Sequence, residues 1–218
     1  MNSSTEARSR TAGAGPRRRR RLSAWGLLAA VLWLFPAHTL AGPPTEQIRG
    51  TIDRSIEILK DPALGAKGKR EERRALLRKE IEPVFDFAEM AKRSLGPNWR
   101  GRTPEERDRF VSLFRELLEN SYLGKIESYQ GEVIRYVNES IDGRYAEVKT
   151  LVVTGKGQEI PVNYRMLGDG GRWRIYDVVI EGISLVGNYR SQFNSILQKS
   201  SFAEMVDRLR ATIQGQRS

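Results

Sequence analysis

Between Glu132 and Ile180 the hydrophobic period of the chain drops from helical to two, and this stretch constrains the fold more than any other. Ile160, Val162, Tyr164 and Met166 alternate with Pro161, Asn163, Arg165 and Leu167, the pattern of a strand with one buried and one wet face. Gly168-Asp169-Gly170-Gly171 supplies the positive φ angles of a tight hairpin turn. The next strand, Trp173 to Ile180, is apolar on nearly every residue toward its end, which predicts a central strand covered on both faces there. Upstream, Glu132 to Ser140 and Tyr145 to Thr154 read as two further strands around the hairpin signal Asp142-Gly143. The second of them puts Ala146, Val148, Thr150 and Val152 on one face, and Gly155-Lys156-Gly157 turns into the third. Four strands joined by short turns predict an antiparallel meander.

On either side of the meander the period is helical. Ile48, Ile52, Ile56 and Leu59 form one apolar stripe, ended by Asp61-Pro62. Lys67 to Lys79 is rich in both charges and keeps Leu76, Leu77 and Ile81 as a buried side; it reads as a solvated face or as a docking surface for a partner or an anionic head group. Asp86-Phe87-Ala88-Glu89 is a capping box that opens a short helix with Phe87, Met90, Ala91 and Leu95, ending at Gly96. Thr103-Pro104-Glu105-Glu106 starts the longest helix, to about Tyr129, whose broad stripe holds Phe110, Leu113, Phe114, Leu117, Leu118 and Tyr122. After the sheet, Gly182 bends the chain and Ser184 caps a helix with Val186, Tyr189 and Phe193 on one side. Ser201 to Glu204 caps a last helix with Met205, Leu209 and Ile213 inward, and Gly215 to Ser218 reads as a frayed tail. The expected class is α+β: a twisted four-stranded antiparallel meander covered by helices.

The first 41 residues stand apart. The basic run Arg17 to Arg21, the apolar run Leu22 to Phe35 and Thr39-Leu40-Ala41 have the form of a secretory signal peptide cleaved after Ala41; the apolar run is shorter than the ~20 residues of a membrane-spanning helix. The Arg run leaves the general and the twin-arginine export routes both open. The leader holds seven of the 37 basic residues and one of the 27 acidic ones, so the net charge falls from +10 to about +4 in the mature chain. That removes the basic excess on which a nucleic-acid partner would depend. His38, the sole histidine, also lies in the leader, and there is no cysteine. The mature chain, residues 42–218, therefore has no Ser-His-Asp triad, cysteine nucleophile, disulfide, or imidazole or thiolate metal site. No cofactor is indicated. Carboxylate chemistry is left open, and Asp177 with Tyr164 or Tyr176 is the pair with which a cone-shaped α+β enzyme could hold a base and an acid in an apolar pocket. The bland role for Asp177 is an ion pair with Arg165 or Arg174, or a cap on the sheet edge.

Several motifs, in order, resemble the MlaC family, periplasmic phospholipid-binding components also known as toluene-tolerance or ABC-transporter auxiliary proteins. They are Phe85-Asp86-Phe87 with Met90-Ala91; Leu95-Gly96 and Trp99; Thr103 to Arg107 with Phe110, Phe114, Leu117 and Leu118; and Tyr129 with Gly131. Ile160-Pro161-Val162 with Tyr164, Trp173 with Tyr176-Asp177, Glu181-Gly182-Ile183-Ser184, and Tyr189, Phe193 and Leu197 complete the pattern, which covers Pro43 to Ile213. The resemblance implies a non-enzymatic carrier that keeps acyl chains inside an apolar cavity between sheet and helices. It also implies partners: an outer-membrane lipoprotein complex and an inner-membrane complex of an MCE-domain protein with an ABC transporter, a system tied to outer-membrane lipid asymmetry. A sister branch sits with hopanoid synthesis, so the cargo implied is a phospholipid or a hopanoid. The candidate cavity wall is Phe87, Met90 and Leu95; Phe110, Phe114, Leu117 and Leu118; Val148, Val152, Val162, Tyr164 and Met166; and Val186, Tyr189 and Phe193. A third class, an adaptor with a filled core that binds only proteins, differs from a carrier solely in whether that interior is hollow.

Overall fold

The computed structural model describes residues 42–217, and the expected leader, residues 1–41, lies outside them. Seven α-helices are found among the described residues: α1 (Pro43–Lys60), α2 (Pro62–Gly65), α3 (Arg70–Ile81), α4 (Phe87–Leu95), α5 (Pro104–Glu127), α6 (Leu185–Leu197) and α7 (Phe202–Arg217). Short 3-10 turns, Glu82–Val84 and Gly96–Trp99, join α3 to α4 and follow α4. Between α5 and α6 run β1 (Val133–Asp142), β2 (Tyr145–Val153), β3 (Glu159–Asp169), β4 (Arg172–Ile180) and a two-residue β5 (Ile183–Ser184). They form one antiparallel sheet in sequence order.

Local chemistry explains most boundaries. Thr103 Oγ1 accepts from the Glu106 N–H while the Glu106 carboxylate accepts from the Thr103 N–H, so both halves of the α5 capping box form. The same exchange joins Ser201 and Glu204 before α7. At α4 only half the box forms. Asp86 accepts from Glu89 N–H at 3.0 Å, but the Asp86 N–H is taken by the Ile175 carbonyl and Glu89 turns to Lys92 and Arg93. Gly170 and Gly171, at φ 54° and 81°, make the two-residue β3–β4 turn, a conformation that would strain any residue with a Cβ. The expected frayed tail is instead helical to Arg217; Ser218 lies outside the described residues.

β4 is flanked on both sides, as its apolar run suggests, only toward its end, where Val179 and Ile180 pair with β3 and with β5. Beyond it lies only β5, paired at Val179–Ser184 and Ile180–Ile183. The rest of its edge is closed piecemeal: Phe85 forms a parallel bridge with Ile175, and the Gln47 side chain from α1 both donates to the Trp173 carbonyl and accepts from its N–H. These clips blunt the remaining edge against pairing with other chains. Gln47→Ala should leave two backbone groups of Trp173 without protein partners. The expected cost is about 1–2 kcal/mol, read from urea denaturation, with faster amide exchange at Trp173.

Two hydrophobic clusters result. One is helical: Met90, Leu95, Phe110, Phe114, Leu117, Val186, Phe193, Met205 and Leu209 from α4 to α7 pack together. The other lies between α1 and the inner face of the sheet, with Ile48, Ala146, Val148, Met166, Ile175 and Val178 buried.

Candidate functional site

The two clusters do not close on each other. Between them lies a cavity of about 530 Å³, within the roughly 300–1,000 Å³ of small-molecule sites. Its wall is almost wholly apolar. α1 contributes Ile48, Ile52, Ile56 and Leu59; their spacings of four, four and three place them on one helix face. The sheet contributes Ile134, Val152, Ile160, Val162, Tyr164 and Val178, inward positions of adjacent strands. Phe87 and Met90 of α4, with Leu118, Tyr122, Leu123 and Ile126 of α5, close the remaining side.

Loss of water pushes the Tyr164 hydroxyl up to about 12, with a hydrogen bond to Thr150 opposing the shift, and burial likewise raises Tyr122. Both phenols stay neutral at physiological pH, so neither brings charge inside. Charge is confined to the margins. Arg78, Glu82 and Glu119 stand along one side; burial first, then the neighbouring Glu82, raises the Glu119 carboxyl against the pull of Arg115 and Arg78. At the ends of α1 and α5 the wall reaches solvent at Lys125 and Ser128, beside half-buried Leu59, Tyr129, Glu132 and Thr154, and this is the mouth. Lys125 lies over the Tyr122 ring and Lys60 over the Tyr129 ring, at 5.1 and 5.9 Å from their centroids.

Of the wall residues expected from sequence, the cavity gathers Phe87, Met90, Leu118, Val152, Val162 and Tyr164. Val148 and Met166 face the same way but are fully buried in the sheet–α1 cluster. Leu95, Phe110, Phe114, Leu117, Val186, Tyr189 and Phe193 do not line it. They pack against one another, with Phe114 edge-on to Tyr189 at 5.2 Å and Phe110 edge-on to Phe193 at 5.4 Å. The N-terminal half of the α5 stripe meets α6 and is filled; its C-terminal half meets open space. Sequence reasoning missed the α1 stripe and Tyr122, Leu123 and Ile126. The stripe itself was visible as a helix face, but nothing in its spacing says whether the space opposite is occupied.

Asp177 belongs elsewhere. It pairs in register with Arg165 on the other face of the sheet, away from Tyr164, and lines a polar crevice of about 280 Å³ with Tyr176, Arg93, Arg165 and Arg190. Its carboxylate is already engaged by Ser184 Oγ at 2.7 Å, Val186 N–H at 3.1 Å and Arg165 Nη1 at 3.2 Å. The arrangement ties β4 to the start of α6. It does not leave a free base beside a Tyr acid.

Comparison with known proteins bears on what the cavity is. The family model described as MlaC protein matches residues 49–211. The chain belongs to the MlaC family. Every wall residue of the cavity except Ile48 falls inside the MlaC match. The chain is 27% identical over 183 residues to the toluene tolerance protein Ttg2D of Pseudomonas putida, covering 79% of this chain and 82% of that one. It is 21% identical over 141 residues to the intermembrane phospholipid transport system binding protein MlaC of Haemophilus influenzae, covering 62% of this chain and 66% of the relative. The fold matches that of a phospholipid-binding protein from Ralstonia solanacearum, solved in complex with a phospholipid. The TM-score is 0.71 at 22% sequence identity, over 79% of this chain and 98% of the other.

Proposed function

We propose that this chain is a periplasmic lipid carrier. It holds the acyl chains of a phospholipid in the cavity, leaves the head group at the mouth, and shuttles lipid between an outer-membrane lipoprotein complex and an inner-membrane MCE-domain and ABC-transporter complex. The observation that carries this reading is the apolar cavity of about 530 Å³ held open between sheet and helices. Membership of the MlaC family supports it, as do the relatives named for phospholipid transport and for a bound phospholipid. The physics is simple. Each acyl CH₂ exposed to water costs about 0.8 kcal/mol, so a free two-chain lipid does not cross an aqueous gap. Moving the chains from bilayer to an apolar cavity exchanges one dry environment for another, so transfer is reversible and needs no reactive group. Residues 1–41 serve export and are removed after Ala41. The carrier performs no chemical step.

The test is native mass spectrometry of the protein purified from a bacterial periplasm, with organic extraction of its cargo. One phospholipid per chain is expected. A polycyclic triterpenoid would replace the phospholipid cargo with a hopanoid. An empty mass that stays empty after incubation with phospholipid vesicles would refute the carrier.

A further inference from the structure

α3 walls the cavity with only a short apolar face, Leu77 and Ile81. Its sequence REERRALLRKEI buries one side chain, Leu77. What joins it to α5 is a row of charge pairs. Glu127, its side chain only 6% exposed, takes Arg74 Nη2 at 2.8 Å, Arg73 Nη2 at 3.4 Å and Arg70 Nη2 at 3.6 Å. Two turns back along α5, Glu119 takes Arg78 Nε at 3.3 Å, and Arg115 reaches both Glu119 and Glu82, at 3.7 and 3.8 Å. Burial pushes the Glu127 carboxyl up, but the hydrogen bond and charge of Arg74, with Arg70 and Arg73, outweigh it and hold the group below its ordinary value; Glu127 stays ionised.

The Arg78–Glu119 end of this row borders the cavity directly. Arg78 and Ile81 line it from the α3 bank, Leu118 and Glu119 from the α5 bank. Where α5 packs on α6, away from the cavity, the contact is made by interlocked aromatic rings. Separating rings exposes apolar area to water. Separating charge pairs lets water take each partner's place and solvate the ions, so α3 can part from α5 along this row without exposing a comparable apolar area. A parted row would open the cavity at its Arg78–Glu119 end, whereas the mouth admits cargo only past half-buried Leu59, Tyr129 and Glu132.

We infer that α3 is a hinged side wall, and that cargo enters and leaves when the ion pairs between α3 and α5 separate. This rests on the carrier reading above. The absence of cysteine from the chain allows a direct test. The exported full chain carrying Arg74→Cys and Glu127→Cys is loaded with a fluorescent phosphatidylcholine, folded, and locked with a short bismaleimide. Transfer to uncharged phosphatidylcholine vesicles is then timed against the same protein capped with a monofunctional maleimide. Locking should slow both loading and unloading at least tenfold. Equal rates for locked and capped protein would overturn the inference. Independently, Glu127→Gln should speed both directions by on the order of tenfold at low salt, equivalent to about 1.4 kcal/mol of barrier, and should flatten the rise of the wild-type rate with ionic strength. A wild-type rate indifferent to salt and unmoved by Glu127→Gln would also count against it. If Glu127→Gln does not fold, the locked protein still decides. If the capped protein takes up no lipid at all, the carrier reading falls and the side wall with it; if it takes up lipid and locking changes nothing, only the side wall falls.

Discussion

Val162→Trp is expected to leave the protein folded and to empty it of lipid. Val162 is an inward residue of β3, paired with Thr150 and Ile180, and its side chain borders the cavity. An indole there enters space that cargo chains occupy in a carrier, so retained phospholipid should fall by an order of magnitude or more while the melting temperature moves little. The comparison that gives this meaning is Val148→Trp, at a neighbouring inward position that is fully buried in the sheet–α1 cluster. Overpacking a filled site costs about 1–3 kcal/mol, or several degrees of melting temperature for a chain of this size. Thermal melts and lipid extraction on the two variants form one experiment. If Val162→Trp destabilises as much as Val148→Trp, the space beside Val162 is not hollow in solution, and a protein-binding adaptor with a filled core becomes the better reading.

The contrast between these two valines shows how far the sequence could be read. Period-two alternation and the glycine turns placed β1 to β4 within a few residues, because side-chain direction in a strand is fixed by the backbone. β5 escaped notice, since two residues, Ile183 and Ser184, carry no period; tertiary pairing with Val179 and Ile180 makes them a strand. The apolar end of β4 read as central, and there β3 and β5 do flank it, but the run did not show that its first half has no strand on one side. The cavity was the hardest to read. Leu, Ile and Phe fill a core or line a void with equal ease, and the α5 stripe does both: Phe110 and Phe114 are packed, Leu118 and Tyr122 border open space. Which half does which depends on where α6 stops covering α5, a relation between elements far apart in the chain. The charged run of α3 was visible as a solvated or docking face; that Glu127, some fifty residues on, gathers three of its arginines was not.

Asp177 is expected to matter for stability and not for a reaction. Its residue surface is 3% exposed, and the three donors on its two oxygens hold β4, β3 and the start of α6 together. Ser184 does double duty, donating to Asp177 and accepting from Gly187 N–H as the α6 cap. Asp177→Ala takes the acceptor from the Val186 N–H and the Ser184 hydroxyl and leaves partly exposed Arg165 to its second partner, Glu147; losing these charge-assisted hydrogen bonds should cost about 3 kcal/mol or more. Asp177→Asn keeps one carbonyl oxygen for Val186 but turns an NH₂ group toward Arg165 and Ser184, and should cost about 1.5–3 kcal/mol. Urea denaturation of both variants gives the order directly, and lipid extraction from the folded Asn variant should still recover cargo. In an enzyme that used Asp177 as its base, the Asn variant would be near wild-type in stability and would lose its activity. A stable Asp177→Asn protein would therefore mean that this carboxylate is not committed to the fold, and would return Asp177 and Tyr176 to consideration as a reactive pair in the crevice they share.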